Sequence, residues 1–198
     1  MGRKRRDWLP HAFYHIVSRG NRRDALFLDS SDFVVFLQIL EKVYERIPYQ
    51  LVSYCLMTNH FHLQLRSPEH ISKVMSLVNK RYANYFNTKY KLTGHVFEKR
   101  YFSQMIQDRA GMLEVSRYIH LNPLKANLVT HPAVYHWSSF RFLYSPQISP
   151  PHFIDPNHIT SYFTGTNEAK RKEYVKYCLT LPSSPEWQAE GRVSSAVD

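Results

Sequence analysis

Two histidines, His60 and His62, stand two residues apart in the run Asn59-His60-Phe61-His62-Leu63-Gln64-Leu65. Alternation of this kind reads as a β-strand: Phe61, Leu63 and Leu65 would face a core, and His60, His62 and Gln64 the other side. Both rings could then reach one ion, and neutral imidazole is a common ligand for divalent metals. Taken alone, a His-x-His pair in a chain with 11 histidines is more often two surface residues than a metal site. A second pair, Tyr118 and Asn122, lies four residues apart in Arg117-Tyr118-Ile119-His120-Leu121-Asn122-Pro123. On a helix these two share a face beside the stripe Met112, Val115, Ile119. Pro123 is expected to end that helix, which leaves the tyrosine and the asparagine in its last turn, able to face a site on the sheet.

Charge and aromatics point to a polyanion. Among 198 residues the formal charge is +10 and the pI about 9.6. From Lys80 to Arg109 seven basic residues face two acids, with Tyr82, Tyr85, Phe86, Tyr90, Phe97, Tyr101 and Phe102 interleaved. Cations for phosphate and flat rings for bases suit a single-stranded nucleic acid, although at least half of these rings should be core. Lys80, Arg81, Lys89 and Lys91 are the candidate phosphate contacts there, and Arg19, Arg22 and Arg23 form a second basic group in a turn after the first strand. Arg3-Lys4-Arg5-Arg6 adds a basic arm.

Several classes are excluded. Two cysteines, Cys55 and Cys178, give no disulfide framework and no cysteine zinc site. Six glycines and no glycine-rich loop argue against a nucleotide-binding fold. No apolar run is long enough for a signal peptide or membrane span, so a soluble, cytoplasmic, nucleoid-associated protein is expected.

The elements that must position these residues follow in order. A strand is expected over 11–18, then a helix capped by Asp29-Ser30-Ser31-Asp32 and ending near Ile47 before Pro48. Strands over 50–57 and 60–67, a helix over 70–90, a loop and strand within 93–106, and a helix over 109–122 opened by Asp108 come next. Tyr135-His136-Trp137-Ser138-Ser139-Phe140 reads as a packed aromatic loop. Prolines and serines at 145–151 mark a linker, followed by short helices near 156–163 and 167–180. The expected organisation is a main domain over 1–145, a helical C-terminal appendage over 146–181 and a disordered tail over 182–198.

Asn59-His60-Phe61-His62-Leu63, Gly94-His95-Val96-Phe97-Glu98-Lys99-Arg100-Tyr101, Arg117-Tyr118-Ile119-His120-Leu121-Asn122-Pro123 and Trp137-Ser138-Ser139 occur in that order. Over residues 10–145 the chain resembles the REP-associated tyrosine transposases, single-tyrosine HUH enzymes of the IS200-like transposase family. That resemblance implies an α+β fold with a central antiparallel β-sheet, helices packed on one face and a ferredoxin-like or RRM-like palm. It implies His60 and His62 as metal ligands, Asn122 as a third polar ligand and Tyr118 as nucleophile. It implies a divalent cofactor, Mg²⁺ or Mn²⁺, and a substrate of single-stranded DNA presented as a hairpin or palindromic repeat. The reaction implied is transesterification through a 5′-phosphotyrosine, by a monomer or homodimer whose site forms within one chain or between two. Three other readings stand beside it: a non-catalytic single-strand binding module, a domesticated relative that binds a chromosomal repeat, and a metal-dependent hydrolase in which water attacks.

Overall fold

The computed structural model describes residues 8–180. The basic arm at 3–6 and the tail expected over 182–198 lie outside the described residues. Four antiparallel strands form one sheet: β1 (Phe13–Arg19), β2 (Gln50–Met57), β3 (His60–Arg66) and β4 (Phe102–Ile106), in the order β2-β3-β1-β4. The sequence alternates along β3, so its two sides carry different chemistry. Phe61, Leu63 and Leu65 join Tyr14, Ile16, Tyr54 and Leu56 in the main core.

Helices α1 (Ser30–Arg46) and α2 (Ile71–Tyr90) cover that core. The cap expected at Asp29 is a full capping box: Asp29 Oδ1 accepts from the Asp32 N–H at 3.2 Å and Asp32 Oδ2 from the Asp29 N–H at 3.2 Å. From there Phe33, Phe36, Leu40 and Val43 recur on one face and pack with Val74, Met75, Val78 and Tyr82 of α2. At the far end of α2, Lys89 Nζ lies 2.7 Å from both Asp29 Oδ2 and Asp32 Oδ1. Tyr85 and Tyr90 donate to the Asp32 carboxylate at 2.8 and 2.7 Å, which ties the start of α1 to the end of α2.

The opposite face of the sheet holds the polar residues, and helix α3 (Arg109–Lys125) lies over it through Met112, Val115 and Ile119. Asp108 caps α3 as its position implied, accepting the Gly111 N–H at 2.7 Å. Gln64, fully buried, ties helix to sheet: its Oε1 accepts from Ser53 Oγ at 2.6 Å and its Nε2 donates to the Met112 carbonyl at 3.0 Å. The helix runs on past Pro123. A proline this near a C-terminus removes one hydrogen bond, and the actual stop is Asn127, left-handed at φ 54. There Leu128 N–H bonds Pro123 O at 2.9 Å and Asn127 N–H bonds Leu124 O at 3.0 Å, a Schellman ending. Tyr118 and Asn122 therefore sit further inside α3 than the sequence suggested.

The Trp137-Ser138-Ser139 segment closes the free edge of β2. Leu56 N–H donates to Trp137 O at 2.9 Å, Ser139 N–H to Tyr54 O at 3.0 Å, and Tyr54 N–H to Ser139 Oγ at 2.8 Å. Short helices α4 (Phe140–Tyr144) and α5 (Asn157–Thr160) lead to α6 (Asn167–Leu179), with α5 shorter than the 156–163 expected. Buried Tyr174 of α6 places its hydroxyl 2.7 Å from Ser116 Oγ and 2.8 Å from His120 Nδ1, and His120 Nε2 lies 2.9 Å from Ser139 Oγ. One polar chain thus joins α6, α3 and the edge of β2. Among the described residues no helix is long and apolar enough to cross a membrane.

Candidate active site

Strand pairing decides what surrounds the two histidines. In the β1–β3 register Arg19 lies across from His60, Val17 from His62 and His15 from Gln64, so His15 and Arg19 share the histidine face. The His60 and His62 rings meet edge to face, centroids 4.9 Å apart. His60 Nδ1 is 2.7 Å from Asn59 Oδ1, and the Asn122 side chain lies near enough to favour the protonated ring. Asn122 in turn donates from Nδ2 to the Tyr118 carbonyl at 3.0 Å, which fixes its side chain on the helix. His62 Nδ1 lies 3.0 Å from His15 Nε2. Tyr118 presents its ring edge to His62 at 5.5 Å and to His15 at 5.9 Å between centroids, with the Lys125 ammonium 5.3 Å from the centre of its ring.

The electrostatics keep these imidazoles neutral. Burial, then the Arg19 guanidinium, pulls His60 down to about 4, and the nearby Asn122 amide offsets only part of this. Burial holds His62 well below its ordinary value, with His15, His60 and Arg19 adding repulsion. At neutral pH both rings keep a lone pair, which metal ligation requires.

Among the described residues no group of three or more His, Cys, Asp or Glu side chains could hold a metal. The expected set of His60, His62 and Asn122 has two members of those types, the third donor being an amide. One observation favours it. His62 Nε2 is buried with no hydrogen-bond partner, a polar atom the fold leaves unsatisfied, and its ring lies 4.9 Å from that of His60. Two imidazoles and an amide oxygen are donors that a divalent ion accepts, so the residues fit such a group.

The candidate phosphate contacts divide in two. Arg19, half-buried, flanks His60, and exposed Arg22 and Arg23 follow in a short 3-10 turn pinned by Asn59 Nδ2 donating to Arg23 O at 3.2 Å. Gly20 makes that turn possible, since a Cβ there would stand 2.1 Å from Asp24 O. Lys80, Arg81, Lys89 and Lys91 lie on or at the end of α2, across the sheet from the histidine face. Lys80 and Lys91 are exposed, Arg81 is half-buried beside Tyr85, and Lys89 is matched by Asp29 and Asp32. Sequence reasoning gave no role to His15. The loose alternation of 11–18 marked its strand, but only the pairing register brings it beside His62.

The model of IS200-like transposases matches residues 10–122, a span that opens before β1 and closes on Asn122. The chain belongs to the IS200-like transposase family. This transposase shares its fold with a solved REP-associated tyrosine transposase bound to a REP hairpin, at TM-score 0.63 and 19% identity, over 76% of this chain and 89% of that one. A crystal structure from Deinococcus radiodurans R1, provisionally described as a transposase, aligns at TM-score 0.40 and 17% identity, over 55% of this chain and 89% of that one. No curated protein matches. Family and fold together make this IS200-like transposase a DNA-acting protein of the transposase type.

Proposed function

We propose that this IS200-like transposase cuts and rejoins single-stranded DNA, with Tyr118 as nucleophile and His60, His62 and Asn122 as the holders of a divalent ion, Mg²⁺ or Mn²⁺. What supports this most is one juxtaposition: the Tyr118 ring stands T-shaped to His62 at 5.5 Å while Asn122, one turn further along α3, reaches the neighbourhood of His60. A phosphodiester repels nucleophiles by its own charge, and a divalent ion bound there would draw on its non-bridging oxygens and spread that charge. Arg19, beside His60, would bind the same phosphate, and the turn of Arg22 and Arg23 would hold the flanking backbone.

In the cleavage step a bond forms between Tyr118 Oη and phosphorus, and the bond from phosphorus to the 3′ oxygen breaks. The phenol loses one proton and the departing 3′ oxygen gains one. The products are a 5′-phosphotyrosine and a free 3′-OH. No ATP is needed, because the covalent link keeps the ester and a second 3′-OH can reverse the step. The solved relative bound to a REP hairpin supports a hairpin or palindromic repeat as substrate. Lys80, Arg81 and Lys91 are proposed as outlying phosphate contacts, and Lys89, already paired, is left out.

Denaturing electrophoresis of the protein with hairpin oligonucleotides, with Mn²⁺ and with chelator, tests this. A metal-dependent band at the mass of protein plus DNA, absent in Tyr118→Phe, is expected. Cleavage that survives in Tyr118→Phe would replace the reading with attack by water.

A further inference from the structure

His15 is fully buried in β1, and nothing above gives it a part in the reaction. Its Nε2 lies 3.0 Å from His62 Nδ1, with the two rings stacked 16° from parallel at 5.2 Å. Two ring nitrogens 3.0 Å apart hold one proton between them, and its placement sets which nitrogen of His62 is bare. Ligation through Nε2 requires a lone pair on that atom, which places the His62 proton on Nδ1, facing His15 Nε2.

We propose that His15 is a positioning residue: its Nε2 accepts the Nδ1 proton of His62, which fixes that ring's tautomer and orientation and leaves Nε2 bare for a divalent ion. The assignment rests on the reading of His62 as a ligand. Its physical basis is general, since an imidazole that ligates through one nitrogen is held by a hydrogen bond from the other, and loss of such a partner weakens metal binding about 10–100-fold. His15 also touches the Tyr118 ring edge, so a displaced His15 would disturb the nucleophile as well.

Two readouts other than activity test it. Imidazole ¹⁵N spectra of the metal-free protein should show His62 protonated on Nδ1; protonation on Nε2 overturns the proposal. Mn²⁺ titration followed by the electron paramagnetic resonance of the free ion should show binding about 10–100-fold weaker in His15→Phe. It should recover to within a few-fold in His15→Gln, whose amide oxygen can accept the same proton. Equal affinity in wild type and His15→Phe overturns the proposal, and if His15→Phe does not fold, His15→Gln and the wild-type spectra decide. Wild-type protein that binds no Mn²⁺ would overturn the ligand reading itself, and the His62 tautomer would then decide the His15 assignment alone.

Discussion

Removing one oxygen from α6 should loosen the helix that carries Tyr118. The Tyr174 hydroxyl is fully buried and bonds both Ser116 Oγ at 2.7 Å and His120 Nδ1 at 2.8 Å. Both partners have no solvent exposure, so in Tyr174→Phe neither can turn to water for a replacement. A buried polar group left unpaired costs roughly 1–3 kcal/mol. Ser116 can recover part by bonding back to the preceding turn of α3, whereas His120 keeps only Ser139. Together these give a loss of about 2–3 kcal/mol, with no cavity term because the ring stays. For a chain of this size that corresponds to a fall in Tm of roughly 5–10 °C. Urea unfolding followed by tyrosine fluorescence and circular dichroism measures it. A loss under about 0.5 kcal/mol would show that the Ser116–Tyr174–His120 chain holds nothing together.

Three further outcomes follow from the same structure. Gly20→Ala should displace the Arg22 and Arg23 turn, because its Cβ would meet Asp24 O at 2.1 Å; weaker DNA affinity with a shallower salt dependence in a filter-binding assay checks it. Stability should fall with acid well above the carboxylate range. His15 and His120, held to about 3 by burial, stay neutral in the fold while the unfolded chain takes up protons near pH 6.5, so stability present above that pH is lost progressively towards 3. Between pH 7 and 5.5 each site should cost roughly 1 kcal/mol in urea unfolding, and a flat profile would contradict neutral burial. Lys89→Met should lower Tm through the α1–α2 joint and leave the salt dependence of DNA binding unchanged, since Lys89 is paired with Asp29 and Asp32; there, burial pushes the Asp32 carboxyl up but hydrogen bonds from Lys89, Tyr90, the Leu28 N–H and Tyr85 outweigh it and hold it low.

The parts of the site that sequence alone made legible are those fixed by local pattern. Alternation along His60–Leu65 and the four-residue spacing of Tyr118 and Asn122 put chemistry on defined faces, and Asp29 and Asp108 marked helix starts by their own capping chemistry. What stayed hidden depends on contacts between distant segments. His15 gains meaning only from the β1–β3 register, and Lys89 only from partners 57 and 60 residues away. Helix α6 buries just Tyr174 and Cys178 among charged residues, too thin a stripe to announce its packing on α3. Pro123 misled for a different reason: a proline removes one hydrogen bond, and the Asn127 ending and its packing outweigh that loss.

The most direct test of the central claim is to find where the DNA becomes attached. Trypsin cutting after Arg117 and Lys125 would release Tyr118-Ile119-His120-Leu121-Asn122-Pro123-Leu124-Lys125 as one peptide. Mass spectrometry of the adduct trapped with a hairpin substrate and Mn²⁺, after nuclease trimming, should find a 5′-phosphonucleotide on Tyr118 of that peptide and on no other. The same modification on Tyr82, Tyr85 or Tyr101, or cleaved DNA with no peptide attached, would contradict it.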